Sequence, residues 1–163
     1  MSRAMSDNST RKTERGSELL EFGLIVIVLF AMIFGIIDFG RALLAYHFVA
    51  NAAREATRYA SVRGGACNTQ VPPVTDCPAD QSSIQAYLRG DATGIGVDPN
   101  QLFVTANWPL QPSSPVVCSS PSSANSPGCT VQVGVSYTFN FLFPLLGASS
   151  LNMSSTSAAV ITQ

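Results

Sequence analysis

Phe22-Gly23-Leu24-Ile25-Val26-Ile27-Val28-Leu29-Phe30-Ala31-Met32-Ile33-Phe34-Gly35-Ile36-Ile37 is a run of sixteen residues without a charge, bounded by Glu21 and Asp38. As a helix at 1.5 Å per residue it spans about 24 Å. That is slightly short of the ~20 residues that cross a bilayer, and Phe39, Leu43, Leu44 and Tyr46 can extend it. Arg3, Arg11, Lys12 and Arg15 precede the run, so the positive-inside rule places the N-terminus in the cytoplasm and residues after about Tyr46 outside. Asp38 and Arg41 stand one helical turn apart and are expected to pair at the outer interface.

A cleaved secretory signal peptide also begins with charge and continues with an apolar stretch. Here Asp38-Phe39-Gly40-Arg41 follows the run, a poor site for signal peptidase, and the small-x-small triplet Ala50-Asn51-Ala52 lies far beyond it. Retention as an anchor is therefore the expectation. The composition agrees, because 12% charged residues among 163 is half of what a soluble domain carries, about 25%. Beyond Arg63 the only basic residue is Arg89, so no nucleic-acid footprint is present.

No proline interrupts Ser17 to about Val62, and one continuous helix of some 68 Å is predicted, ending at Gly64-Gly65. Past Arg41 it turns amphipathic. Ala45, Phe48, Val49, Ala52, Ala56, Tyr59 and Ala60 fall on one face, and His47, Asn51, Arg54 and Arg58 on the other. A second helix is expected near residue 82, with Asp80 or Ser82 as cap, Ile84, Tyr87 and Leu88 on its apolar side, Arg89 in the last turn and Gly90 at the end. Leu102 to Trp108 reads as a strand closed by Pro109. Val131, Val133, Val135, Tyr137, Phe139 and Phe141 alternate with polar or small residues, the pattern of a strand with one buried face. Phe143-Pro144-Leu145-Leu146-Gly147 breaks it, and Leu151 to Ile161 returns as a weaker strand with Leu151, Met153 and Ile161 on one side. The fold class is α+β, a long N-terminal helix whose amphipathic half packs on a small antiparallel sheet. The chain divides into a leader at 1–16, the membrane and amphipathic helix at 17–63, and an extracytoplasmic domain at 64–163.

Cys67, Cys77, Cys118 and Cys129 all follow the apolar run, in Pro/Ser-rich stretches. Their spacings are too wide for C-x-x-C zinc or redox motifs, and two local disulfides, Cys67 with Cys77 and Cys118 with Cys129, are the leading reading among three possible pairings. Nothing in the outer region has the pattern of an enzyme. His47 is the only histidine and sits on a polar helix face, and Asp76, Asp80, Asp91 and Asp98 are dispersed without the spacing of a metal loop. No catalytic residue, metal, cofactor or small-molecule substrate is expected.

Between the basic leader and the apolar run stands Gly16-Ser17-Glu18-Leu19-Leu20-Glu21-Phe22. Its form, G-x-x-x-x-E-F, resembles the processing site of type IV pilin-like precursors. From Arg15 to Gly64 the sequence, including Ile37-Asp38-Phe39-Gly40-Arg41-Ala42 and Asn51-Ala52-Ala53-Arg54-Glu55-Ala56-Thr57-Arg58-Tyr59-Ala60, resembles the TadE-like family of the tight-adherence pilus machinery. The resemblance implies a type IV pilin-like fold and a minor pilin or pseudopilin of the bacterial inner membrane. It further implies cleavage between Gly16 and Ser17 by a prepilin peptidase, support of pilus assembly, adhesion or secretion, and other pilin subunits and the assembly platform as partners, beside membrane lipid. The major pilins of that system are much shorter and carry Tyr where this chain has Phe22, which favours a minor component. Glu21 has two readings: a solvated flank in the headgroup region, or a carboxylate that pairs with the Ser17 α-amine of a neighbouring subunit. The alternative function is an unprocessed, membrane-anchored extracytoplasmic scaffold or binding protein.

Overall fold

The computed structural model describes residues 10–69, 75–111, 118, 123–143 and 149–162, with the backbone only for 10–15, 69 and 95. The leading residues 1–9, the Pro72-Pro73 loop, most of the Pro/Ser-rich stretch between Gln111 and Ser123, and the Pro144-to-Gly147 break lie outside the described residues.

Helix α1 runs over Thr10–Ser61 and α2 over Gln81–Ala92, while strands β1 (Leu102–Asn107), β2 (Thr130–Asn140) and β3 (Ser150–Val160) form one antiparallel sheet in the order β1-β2-β3. The class is α+β, a long apolar N-terminal helix with a small three-stranded sheet. In register, Val104 faces Val135 across the first pair and Tyr137 faces Met153 across the second. Successive side chains in a strand point to opposite faces. Leu102, Val104 and Ala106 of β1 and Val131, Val133, Val135, Tyr137 and Phe139 of β2 therefore turn one apolar face inward.

The amphipathic half of α1 lies on that face. Ala45, Phe48, Val49, Ala52, Ala53, Ala56, Tyr59 and Ala60 are all buried in the shared core, and the alanines allow close approach. On β3 the inward positions are mostly small (Ser155, Ser157 and Ala159 beside Met153), which leaves room for the helix. Ile84, Leu88 and Ala92 of α2 complete the core.

Four points differ from the sequence reading. The helix begins at Thr10, ahead of the expected Ser17, because Arg11 to Arg15 contains neither proline nor glycine to stop it. At its other end α1 stops at Ser61, whose hydroxyl donates to the Arg58 carbonyl at 2.9 Å. Gly65 serves close approach instead of helix termination: its N–H donates to the Asn125 carbonyl at 2.7 Å, and a Cβ there would meet that oxygen at 3.3 Å. Helix α2 passes through Gly90 and ends at Ala92, and the left-handed glycine that follows is Gly96, φ 74°. Leu151, expected with Met153 on the inner side of β3, is exposed at the end of the sheet, whereas Met153 and Ile161 are buried. The C-terminal end of the sheet is tied back to the helix, since the Thr162 N–H donates to the Ser61 carbonyl at 2.9 Å.

Candidate functional site

The two halves of α1 have opposite surroundings. Along 19–37 large apolar side chains stand exposed on every side, Leu20 at 76%, Phe22 at 66% and Ile27 at 71%. A helix that is apolar all round and largely uncovered by its own chain is suited to lipid or to other helices. It is also long and apolar enough to cross a membrane. Gly16, Ser17, Glu21 and Phe22 lie at its start, all exposed, with Ser17 and Glu21 four residues apart and hence on one side of the helix.

Where the halves meet, Asp38 is only 4% exposed. The Arg41 guanidinium donates to its Oδ1 at 3.1 Å, the pairing read from the sequence. Two further donors come from the far end of β2: the backbone N–H groups of Leu142 and Phe143 donate to Asp38 Oδ1 and Oδ2, at 3.3 and 3.0 Å. One carboxylate thus satisfies two N–H groups that have left the sheet ladder. Arg41 also lies over the Phe139 ring, 5.3 Å from its centroid. This clamp escaped sequence reasoning because its partners lie more than 100 residues away and are backbone groups. The only signal for it was a carboxylate immediately after an apolar run.

At the other end of the domain a small polar cleft opens between α1 and α2, lined by Glu55, Arg58, Tyr59, Val62, Arg63 and Tyr87. Tyr59 and Tyr87 stack at 4.5 Å, and Arg63 covers the Tyr59 ring at 3.8 Å. Tyr87, expected in the core, instead donates to Glu55 Oε1 at 3.1 Å. Burial, aided by its hydrogen bond to Asp76, holds the Tyr59 hydroxyl above its ordinary pKa, and burial with Glu55 does the same at Tyr87. Both rings stay neutral at physiological pH and act as packing and hydrogen-bonding groups.

Cys67 is joined to Cys77 and Cys118 to Cys129, with Cα atoms 6.0 and 5.6 Å apart. His47 is exposed and meets Tyr46 edge-on at 5.9 Å. Three of the four dispersed aspartates hold local structure: Asp76 accepts from Tyr59, Asp80 caps α2, and Asp98 accepts from the Asn100 N–H. Among the described residues no group of three or more His, Cys, Asp or Glu side chains is placed to hold a metal ion.

The arrangement defines a class, an α+β protein whose single long helix is covered by its own sheet over one half and left bare and apolar over the other. Residues 16–58 match the family model described as TadE-like protein, the family that the sequence pattern resembles. The match runs from the glycine of the candidate processing site into the buried alanine face and stops short of the sheet. No curated protein and no solved structure matches the chain.

Proposed function

We propose that the chain is a minor pilin or pseudopilin of a tight-adherence pilus. In this reading it is anchored in the bacterial inner membrane by the apolar half of α1, with its sheet domain outside the cytoplasm. The observation that carries the reading is the TadE-like match over residues 16–58, which coincides with the segment holding Gly16, Glu21 and the bare apolar run. The basic leader sets the orientation, and the two disulfides suit an oxidising compartment. A prepilin peptidase cuts between Gly16 and Ser17. Both residues lie within α1, so the backbone must open locally for cleavage, and glycine is, after proline, the residue that resists unwinding least. Cleavage creates an α-amine at Ser17 that is mostly protonated near neutral pH. A neighbouring subunit's Glu21 can then meet it among stacked helices, where an unpaired carboxylate would be costly.

The test is the mature N-terminus, read by mass spectrometry of membrane-extracted protein from cells with an active prepilin peptidase. A chain beginning at Ser17 is expected, and an intact leader would sink the reading in favour of a fixed scaffold or binding protein. The Glu21→Gln variant should be inserted and cut normally yet crosslink less to other pilin subunits. Unchanged crosslinking would reduce Glu21 to a headgroup flank.

A further inference from the structure

The turn that follows β2 reaches the level of the last apolar turn of α1. Phe143 stacks on Phe34 with centroids 4.1 Å apart and planes 19° apart, and Phe34 lies inside the uncharged run. By helical rise Phe34 sits about 6 Å below Asp38 along the axis, within the depth at which interfacial apolar groups are buried, roughly 5–10 Å. Leu142 is nevertheless 60% exposed and Phe143 43%. Phe141, Leu142 and Phe143 carry no charge, while Asp38 and Arg41 bind each other.

We propose that Leu142 and Phe143 form a second membrane contact, seated in the headgroup–acyl boundary beside the helix. The inference rests on the reading of the apolar half of α1 as a membrane anchor. Lipid is the occupant because the exposed surface of Leu142 and Phe143 continues, through the Phe34 stack, the bare surface of the anchor itself. The Asp38 clamp gives the contact its function. By accepting both N–H groups it removes the backbone polarity that would keep Leu142 and Phe143 out of an apolar layer. Arg41 then stands at headgroup level, where its exposed face meets lipid phosphate. The sheet domain is thereby held on the membrane at two points and is not free to swivel on a single helix.

Depth-dependent quenching tests this. The full chain, with Trp108→Phe as background, is placed in phosphatidylcholine vesicles brominated either near the headgroup or deep in the acyl chains. A single tryptophan is then introduced by L142W, by I27W in the middle of the run, or by F103W on the outer face of the sheet. All three positions are exposed, so none of these changes disturbs the core. L142W should be quenched more by shallow than by deep bromines, I27W more by deep ones, and F103W by neither. Quenching of I27W without quenching of L142W would overturn this inference and leave the anchor standing. Stronger quenching of L142W by deep bromines would overturn the interfacial placement. Absence of quenching in I27W would overturn the anchor and this inference together.

Discussion

One helix carries two burial regimes. Around Val49 to Ala60 the α1 face is almost completely covered, with Ala53 and Ala56 fully buried, whereas from Leu19 to Ile37 most of the large apolar residues stand exposed. The difference follows from side-chain size and sign. In the covered half small alanines face the sheet and Arg54 and Arg58 face away, so the chain supplies both the apolar partner and the solvated side. In the bare half no side is polar, and of the sheet region only Phe143, just past β2, touches it, at Phe34. Most of that half has no partner within the described chain, so its apolar surface is available to lipid or to other helices, and folding stability is a property of the other half.

The largest expected effect separates the halves directly. Ile84 is fully buried between α2 and the core, so Ile84→Ala should cost about 2–5 kcal/mol through lost burial and the cavity left behind. Ile27→Ala, in the bare half, should leave the unfolding midpoint of the sheet domain unchanged. Denaturant unfolding in mild detergent, followed by near-UV dichroism, measures both. A comparable loss from Ile27→Ala would mean that the bare half contributes to the folded domain after all.

Asp38 lies on the seam between the two halves. Asp38→Ala leaves the Leu142 and Phe143 N–H groups without their acceptor, and the melting temperature of the domain should drop by several degrees. Arg41→Ala should cost less, since its guanidinium is substantially exposed and the two backbone bonds to Asp38 survive. Equal losses in thermal melts would show that the ion pair, and not the backbone clamp, holds the seam.

Much of this architecture was legible because it rests on local period. The alternation from Val131 to Phe141 marked β2, which ends one residue short of Phe141, and the face from Ala45 to Ala60 marked the helix side that the sheet covers. The cysteine spacing suggested the local bridges that Cys67–Cys77 and Cys118–Cys129 form. Features set by distant contacts were not legible. Gly65 looked like a helix stop, but its smallness answers to the Asn125 carbonyl sixty residues on. Tyr87 fitted an apolar 3/4 spacing, yet its ring lies on Tyr59 and its hydroxyl on Glu55. Asp38 was readable as half of an ion pair with Arg41, while its greater role depends on where β2 ends. At Gly16 to Phe22 the motif rested on resemblance, and the helix leaves it exposed.

The smallest effect belongs to the edge of the covered half. Asp80 caps α2 through a capping box: its carboxylate accepts the Ser83 N–H at 2.7 Å while Ser83 Oγ accepts the Asp80 N–H at 3.0 Å. The Ser83 backbone bond first, then the Ser82 and Ser83 hydroxyls, hold the Asp80 carboxyl below its ordinary pKa. A depressed folded-state value means that the ionised form is favoured by folding. The contribution is therefore fully present above the ordinary carboxylate range and is lost as pH falls through the lowered folded value. Asp80→Ala should cost about 1 kcal/mol near neutral pH, and the gap between variant and parent should narrow as the pH is taken into the acid range. Asp80→Ser, which keeps a capping oxygen without the charge, should recover most of the loss at neutral pH and show no such narrowing. Urea midpoints for the parent and both variants at neutral and acid pH decide it. A gap that stays constant for Asp80→Ala would mean that the oxygen alone caps α2 and that its charge contributes nothing to the fold.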